Sequence, residues 1–127
     1  MGQARVKLLL DSVILIDHFN GIVPSTSFIS DNQADVAVSV ISRAEVLTGF
    51  EPAASRRAMA FLDCFPTLGI DQVIADLAAS LRRSYRWKLP DAFQAAIAQH
   101  NGLRLVTRNL RDFSPRRHRF VLVPYRV

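Results

Sequence analysis

Residues 8–17 read Leu8-Leu9-Leu10-Asp11-Ser12-Val13-Ile14-Leu15-Ile16-Asp17, and the fold follows from how this stretch changes character. The apolar run ending at Leu10 extends back to Val6, broken only by Lys7, and has the length of a buried strand. An acid follows at once. From Ser12 the pattern becomes helical, runs to Asn20 and stops at Gly21. A strand that passes straight into a helix begins a crossover connection, the unit from which parallel sheets are built.

The same passage recurs downstream. Pro24 to Asn32 reads as a short helix, Asp35-Val36-Ala37-Val38-Ser39 as a strand, and Ser42 to Phe50 as a helix. Pro52 to Phe65 forms another helix, with proline in its first turn. Thr67 to Ile70 is a brief strand. In 71–86 the apolar positions Ile74, Leu77, Ala78, Leu81 and Tyr85 recur at three and four, the mark of an amphipathic helix. Pro90 opens a helix that Gly102 stops. Leu103 to Thr107 is a strand, Asn109 to Phe113 a turn of helix, and Phe120 to Pro124 a last strand. Strands separated by helices of this length predict an α/β doubly wound layout: a central parallel sheet of four to five strands with helices on both faces. No repeat, linker or compositional break divides the 127 residues, so one domain is expected.

Half the residues are hydrophobic and 21% are charged, which excludes disordered and low-complexity classes. No apolar run approaches the roughly 20 residues that span a bilayer. The opening Met1 to Arg5 lacks the apolar core of a secretory signal, so a cytoplasmic location is expected. A single cysteine, Cys64, rules out a disulfide framework and a cysteine-rich zinc site; its place between Leu62 and Phe65 predicts a buried packing role. His18, His100 and His118 share no metal-ligand spacing. From residue 101 onward seven arginines face one acid, so the net charge of +5 resides in this tail. Guanidinium groups suit phosphate contact, although a solvated face has the same composition.

Four of the eleven acids fall where a strand becomes a helix or where a helix starts: Asp11, Glu45, Asp91 and Asp112. In an open parallel sheet the carboxyl ends of the strands line one edge, where ligands bind, so these four can converge. Singly, each has a plainer reading. Asp11 is a possible N-cap, Ser42-Arg43-Ala44-Glu45 a capping box, Asp91 a favourable charge in a first helical turn, and Asn109 and Asp112 caps of the last short helix. Capping does not, however, require four carboxylates at one sheet edge. Together they would repel unless a cation compensates, and an all-oxygen set suits Mg²⁺ or Mn²⁺. A receiver domain has acids at similar places but needs a lysine after a late strand, and the only lysines are Lys7 and Lys88.

The segments Leu8–Asp17, Val40-Ile-Ser-Arg-Ala-Glu-Val-Leu-Thr-Gly49, Leu89-Pro-Asp-Ala-Phe-Gln-Ala-Ala-Ile-Ala98 and Leu105-Val-Thr-Arg-Asn-Leu-Arg-Asp-Phe113 resemble the four blocks of PIN-domain proteins. The VapC-type toxin ribonucleases of bacterial toxin–antitoxin pairs are the most similar. The resemblance runs over nearly the whole chain, with the blocks in the family's order. It implies a single PIN domain over 1–127 and a Mg²⁺- or Mn²⁺-dependent endoribonuclease in which Asp11, Glu45 and Asp91 hold the metal. Asp112 is assigned as the fourth acid, with Asn109, where many relatives carry Asp, as its neighbour. Ser12 and Ser42 stand where the family usually has Thr, and Thr107 is placed to orient Asp11 or a water. Arg108, Arg111, Arg116, Arg117 and Arg119 are the expected grips on RNA backbone. A VapB-like antitoxin partner, a homodimer and RNA as substrate are also implied. Two rival readings are a non-catalytic RNA- or partner-binding PIN domain, which the Asn109 departure suggests, and a housekeeping PIN nuclease of RNA maturation.

Some residues stay open between two roles. Tyr85 and Trp87 beside Arg86 and Lys88 form either a base-stacking patch or a loop anchor. Arg82, Arg83 and Arg86 are either a second RNA surface or a solvated helix face. Phe50, Phe61 and Phe65 are either core or an interface.

Overall fold

The computed structural model describes residues 6–127; the opening segment inspected above for a secretory signal lies outside them. In chain order the elements are β1 (Leu8–Leu10), α1 (Ser12–Phe19), α2 (Val23–Asp31), β2 (Val36–Ser39), α3 (Val40–Thr48), α4 (Pro52–Leu62), β3 (Thr67–Leu68), α5 (Gln72–Tyr85), α6 (Leu89–His100), β4 (Arg104–Val106) and β5 (Val121–Leu122). The five strands form one sheet in the order β3-β2-β1-β4-β5, with every pairing parallel. The α/β sheet expected from the sequence is therefore present.

Alternate residues along the strands point to opposite faces and build two cores. Leu9, Ala37 and Leu105 pack with Ile74, Ala78 and Leu81 of α5 and the alanine-rich face of α6. Leu10, Val36, Val38 and Val106 pack with Ile14 and Leu15 of α1, Val46 of α3 and Leu62 of α4. Small side chains on α6 (Ala92, Ala95, Ala96 and Ala98, all fully buried) bring that helix close to the sheet. Gly21 and Gly102 stop α1 and α6 as expected, with φ of +78° and +68°, a region that a side chain disfavours.

The strand order also fixes where a ligand site can form. The chain steps outward from β1 to β2 and β3, then returns to the other side of β1 as β4. The crevice of a doubly wound sheet lies at that reversal, beyond the carboxyl ends of β1 and β4. Asp11 directly follows β1, and its backbone N–H donates to Val106 O at the end of β4, at 2.9 Å.

Three local expectations are corrected. Helix α3 begins at Val40 directly out of β2, capped by Ser39, whose Oγ accepts from Ser42 N at 3.0 Å. Ser42 and Glu45 thus lie inside the helix and form no capping box, because the strand passes into the helix without a loop. The segment 109–113 makes turns and no helix, held by Phe113 N donating to Asn109 O. Cys64 is exposed: α4 ends at Leu62, Leu62 and Phe65 fill the core, and the thiol turns outward toward Ala60 O. Of the aromatic trio, Phe65 is buried, while Phe50 and Phe61 are half-buried around Phe19.

Candidate active site

Asp11 sits at the head of α1 with only 6% of its surface exposed. Its Oδ1 accepts from Ser12 N at 2.9 Å and from Gln94 Nε2 at 3.1 Å, and its Oδ2 accepts from Thr107 Oγ1 at 2.7 Å. An ionised carboxylate has about four lone-pair sites, so these three bonds leave one free, on Oδ2. The capping role proposed from the sequence is real, since Ser12 N is satisfied, but it occupies only one of the four. Burial pushes the Asp11 carboxyl up from its usual value, opposed by the bonds from Thr107, Gln94 and Ser12.

The donors around Asp11 form a directed network. Ser12 Oγ donates to Glu45 Oε1, and lies 3.2 Å from Ser42 Oγ. Gln94 Nε2 donates to Ser42 Oγ at 2.7 Å as well as to Asp11, while Gln94 Oε1 accepts from Ser39 Oγ. Ser42 Oγ faces Leu10 O at 3.3 Å. The protons of Ser12, Gln94 and Thr107 thus point toward the carboxylates of Glu45 and Asp11.

Gln94 is the site residue that sequence reasoning missed. It is 1% exposed and joins β2, α3 and the head of α1 through one amide. A signal was present: Gln94 is three residues after Asp91, hence on the same side of α6, and is the one amide in a run of buried alanines. Replacing Gln94 with leucine is expected to destabilise the fold by about 1–3 kcal/mol, because Asp11, Ser39 and Ser42 lose a buried partner. Chemical denaturation measures this, and an unchanged midpoint would show that the network has no energetic role.

Asp91 lies in the first turn of α6. Burial first, and then the charges of Asp11, Asp112 and Glu45, push its carboxyl up to about 6, against a smaller opposing effect of Lys88. The charges of Asp11, Asp112 and Glu45 thus all reach Asp91, although among the described residues no three of these acids stand together as ligands of one ion. Asp112 is held by Asn109, whose Nδ2 donates to Asp112 Oδ2 at 3.1 Å, while Asp112 N approaches Asn109 Oδ1 at 3.4 Å. Asn109 N in turn donates to Thr107 Oγ1 at 3.0 Å. Thr107 thereby connects the 109–112 loop to Asp11.

The arginines divide. Arg108 forks onto Asp17, Nε to Oδ2 at 2.6 Å and Nη2 to Oδ1 at 2.8 Å, and Tyr125 Oη donates to the same Oδ2 at 2.8 Å. Its charge is committed inside the protein, in contrast to the expectation of an RNA grip. Arg111, Arg116, Arg117 and Arg119 are exposed. No hydrogen bond or ion pair ties the site acids to a lysine or arginine among the described residues, where the two salt bridges are Arg43–Asp63 and Arg108–Asp17. None of the three histidines joins the acids: His18 stacks on Phe61, His118 lies among Tyr85, Trp87 and Phe120, and His100 is exposed.

Comparison with known proteins places the chain in a family. Residues 8–116 match the PIN domain. Over 113 residues the chain is 33% identical to Ribonuclease VapC10 of Mycobacterium tuberculosis, covering 84% of this chain and 85% of that protein. It superimposes on a chain of a toxin–antitoxin complex from Klebsiella pneumoniae with a TM-score of 0.88 and 34% identity, over 95% of this chain and 100% of the other. A chain of the DNA-bound VapBC of Salmonella typhimurium shares the fold, with a TM-score of 0.71 and 24% identity over 85% and 90%. This chain belongs to the PIN-domain family and, within it, to the VapC-type proteins.

Proposed function

We propose that this protein is a divalent-metal-dependent endoribonuclease that hydrolyses RNA phosphodiester bonds in the cytoplasm as the toxin of a type II pair, restrained by a VapB-like antitoxin and assembling as a homodimer. The observation that carries this is that Asp11, Glu45 and Asp112 are held by neutral donors only, while their charges all act on Asp91. Neutral donors leave the charge of these acids uncompensated, whereas Asp17, a few residues away, has its own arginine. The names of the relatives, a ribonuclease and a toxin–antitoxin complex, support the same reading.

The donor set fits a hard cation, being all oxygen, with one open lone pair on Asp11. Among the described residues no three His, Cys, Asp or Glu side chains are placed to ligate one ion together. Mg²⁺ can bind through one or two carboxylates while keeping several waters. Asp11, Glu45 and Asp91 are the residues that would hold it, with Asp112 reaching it directly or through water. When bound, the ion supplies an activated water and offsets charge on the phosphoryl oxygens.

The chain's own residues orient and grip. Thr107 and Gln94 fix the Asp11 carboxylate, Ser12 fixes Glu45, and Asn109 fixes Asp112, so three of the four acids are oriented in advance. Arg111, Arg116, Arg117 and Arg119 beyond Asp112 supply a salt-sensitive grip on the backbone. The fragment ends test the chemistry. Attack by water leaves 5′-phosphate and 3′-hydroxyl ends, which ligate directly. Attack by the ribose 2′-hydroxyl leaves 5′-hydroxyl and 2′,3′-cyclic phosphate ends, and finding those would overturn the hydrolytic reading.

A further inference from the structure

Beside the acids lies a second feature, where the turn after α5 meets the loop after β4: a pocket of about 210 Å³. Its floor is Trp87, 4% exposed, whose Nε1 donates to the main-chain oxygen of Asp112 at 2.9 Å. The main-chain oxygen of Trp87 accepts from Arg82 Nη1 at 2.6 Å, so the turn is fixed from both sides. Trp87 is therefore the anchor that one reading of the sequence expected. Tyr85 is different. Its ring stacks on Trp87 at a centroid distance of 4.7 Å, with His118 edge-on at 4.9 Å, and 44% of its surface remains exposed.

Cations surround this ring. Arg86, Arg111 and Arg117 line the pocket, and all three are exposed. Arg86 has φ of 59°, the one positive φ outside glycine among the described residues, at the helix terminus where glycine is the usual choice. That conformation ends α5 and sets a guanidinium in the pocket beside Tyr85. Asp112 lines the same pocket, so the pocket and the acidic site share a wall.

We propose that this pocket is a nucleotide subsite, which takes one unpaired base of single-stranded RNA against Tyr85 while Arg86, Arg111 and Arg117 hold the adjoining phosphates. The inference rests on the ribonuclease reading above and deepens it. An aromatic platform interleaved with guanidinium groups is the chemistry that binds single strands, because every base has a π-face and every linkage a charge. The pocket falls below the roughly 300–1,000 Å³ of clefts that enclose whole drug-sized ligands, which matches one planar group entering from an extended strand. With a phosphate at the acids, a neighbouring nucleotide reaches Tyr85 across Asp112.

Trp87 is the sole tryptophan, so its fluorescence reports on the pocket directly. The test titrates a uridine oligonucleotide, and an abasic strand of equal charge, into protein carrying Asp91→Asn so that the RNA survives; cleavage is measured in parallel in the otherwise wild-type chain. Tyr85→Ala is expected to weaken oligonucleotide binding roughly tenfold and to raise KM for cleavage with little change in kcat. Tyr85→Phe retains affinity, and the abasic strand perturbs Trp87 less than the base-bearing one. Arg86→Gly keeps the turn and lowers the salt dependence of binding by about 0.7 in logarithmic slope. If wild-type protein cuts RNA while Tyr85→Ala binds and cuts equally well, the subsite is wrong and the ribonuclease reading stands. Weakened antitoxin binding with RNA binding intact would assign the pocket to a peptide and overturn the proposal. If metal-loaded wild-type protein neither binds nor cuts RNA, both fall.

Discussion

Asp91→Asn is expected to lower RNA cleavage by roughly a thousandfold and, at the same time, to raise the melting temperature of the metal-free protein. The first effect follows from removing a carboxylate that supports the activated water and the phosphoryl charge, worth several kcal/mol in the transition state. The second follows from desolvation of the charged carboxylate and, after it, from repulsion. The Asp91 carboxyl is pushed from 3.8 to about 6, by burial and then by Asp11, Asp112 and Glu45. The folded state therefore holds this proton more tightly than the unfolded chain, and stability falls as pH rises between about 4 and 6. Above that window the penalty is complete, reduced by the solvent that screens this half-buried carboxylate. Differential scanning calorimetry of the metal-free proteins should show the variant more stable at pH 7.5, with the gap closing toward pH 4. A variant less stable than wild type at pH 7.5 would show that Asp91 is a stabilising cap and that the acids do not repel one another.

The other large effect is expected at Arg108. Asp17 has a side chain only 6% exposed and takes both bonds of the Arg108 fork. Arg108→Ala leaves that carboxylate buried with Tyr125 as its remaining side-chain partner, a loss of about 3–5 kcal/mol. Asp17→Asn should cost less, because the Arg108 side chain, 33% exposed, can turn to water. The asymmetry is the test: urea denaturation giving equal losses for the two variants would contradict it. The hydrogen bonds from Arg108, foremost, hold the Asp17 carboxyl below its ordinary value. This contribution is therefore present above about pH 4 and disappears as pH falls through the lowered pKa. Cleavage should also suffer in Arg108→Ala, since Arg108 stands between Thr107 and Asn109, which position Asp11 and Asp112.

Much of the architecture was legible because it rests on local periodicity. The apolar run Val6–Leu10, the three-and-four spacing in α5 and the stops at Gly21 and Gly102 are one-dimensional signals, and each falls within a few residues of the observed element. The alternation of strands with helices then implies a parallel sheet, and the sheet implies a common edge for Asp11, Glu45, Asp91 and Asp112. The misreadings came where tertiary contacts override local propensity. Ser42-Arg43-Ala44-Glu45 has the pattern of a capping box, yet Ser39 caps first because β2 runs directly into α3. Cys64 lies between two core residues but after the helix has ended, so periodicity no longer decides its direction. Arg108 sits in an arginine-rich segment, and only the fold shows that Asp17, ninety-one positions earlier, takes its charge. Gln94 needs three elements in place before its amide has anything to hold.

Among the described residues no helix is long and apolar enough to cross a membrane, and nothing in the site calls for one. The proposed chemistry is tested most directly by incubating total bacterial RNA with purified, antitoxin-free protein in Mg²⁺ or Mn²⁺, in EDTA, and with Asp91→Asn in metal. The expected result is discrete fragments from the metal-loaded wild type, and intact RNA in the other two. Intact RNA from a wild type that is folded, metal-loaded and able to bind the same RNA would contradict it, and would assign the acids to a binding module without catalysis.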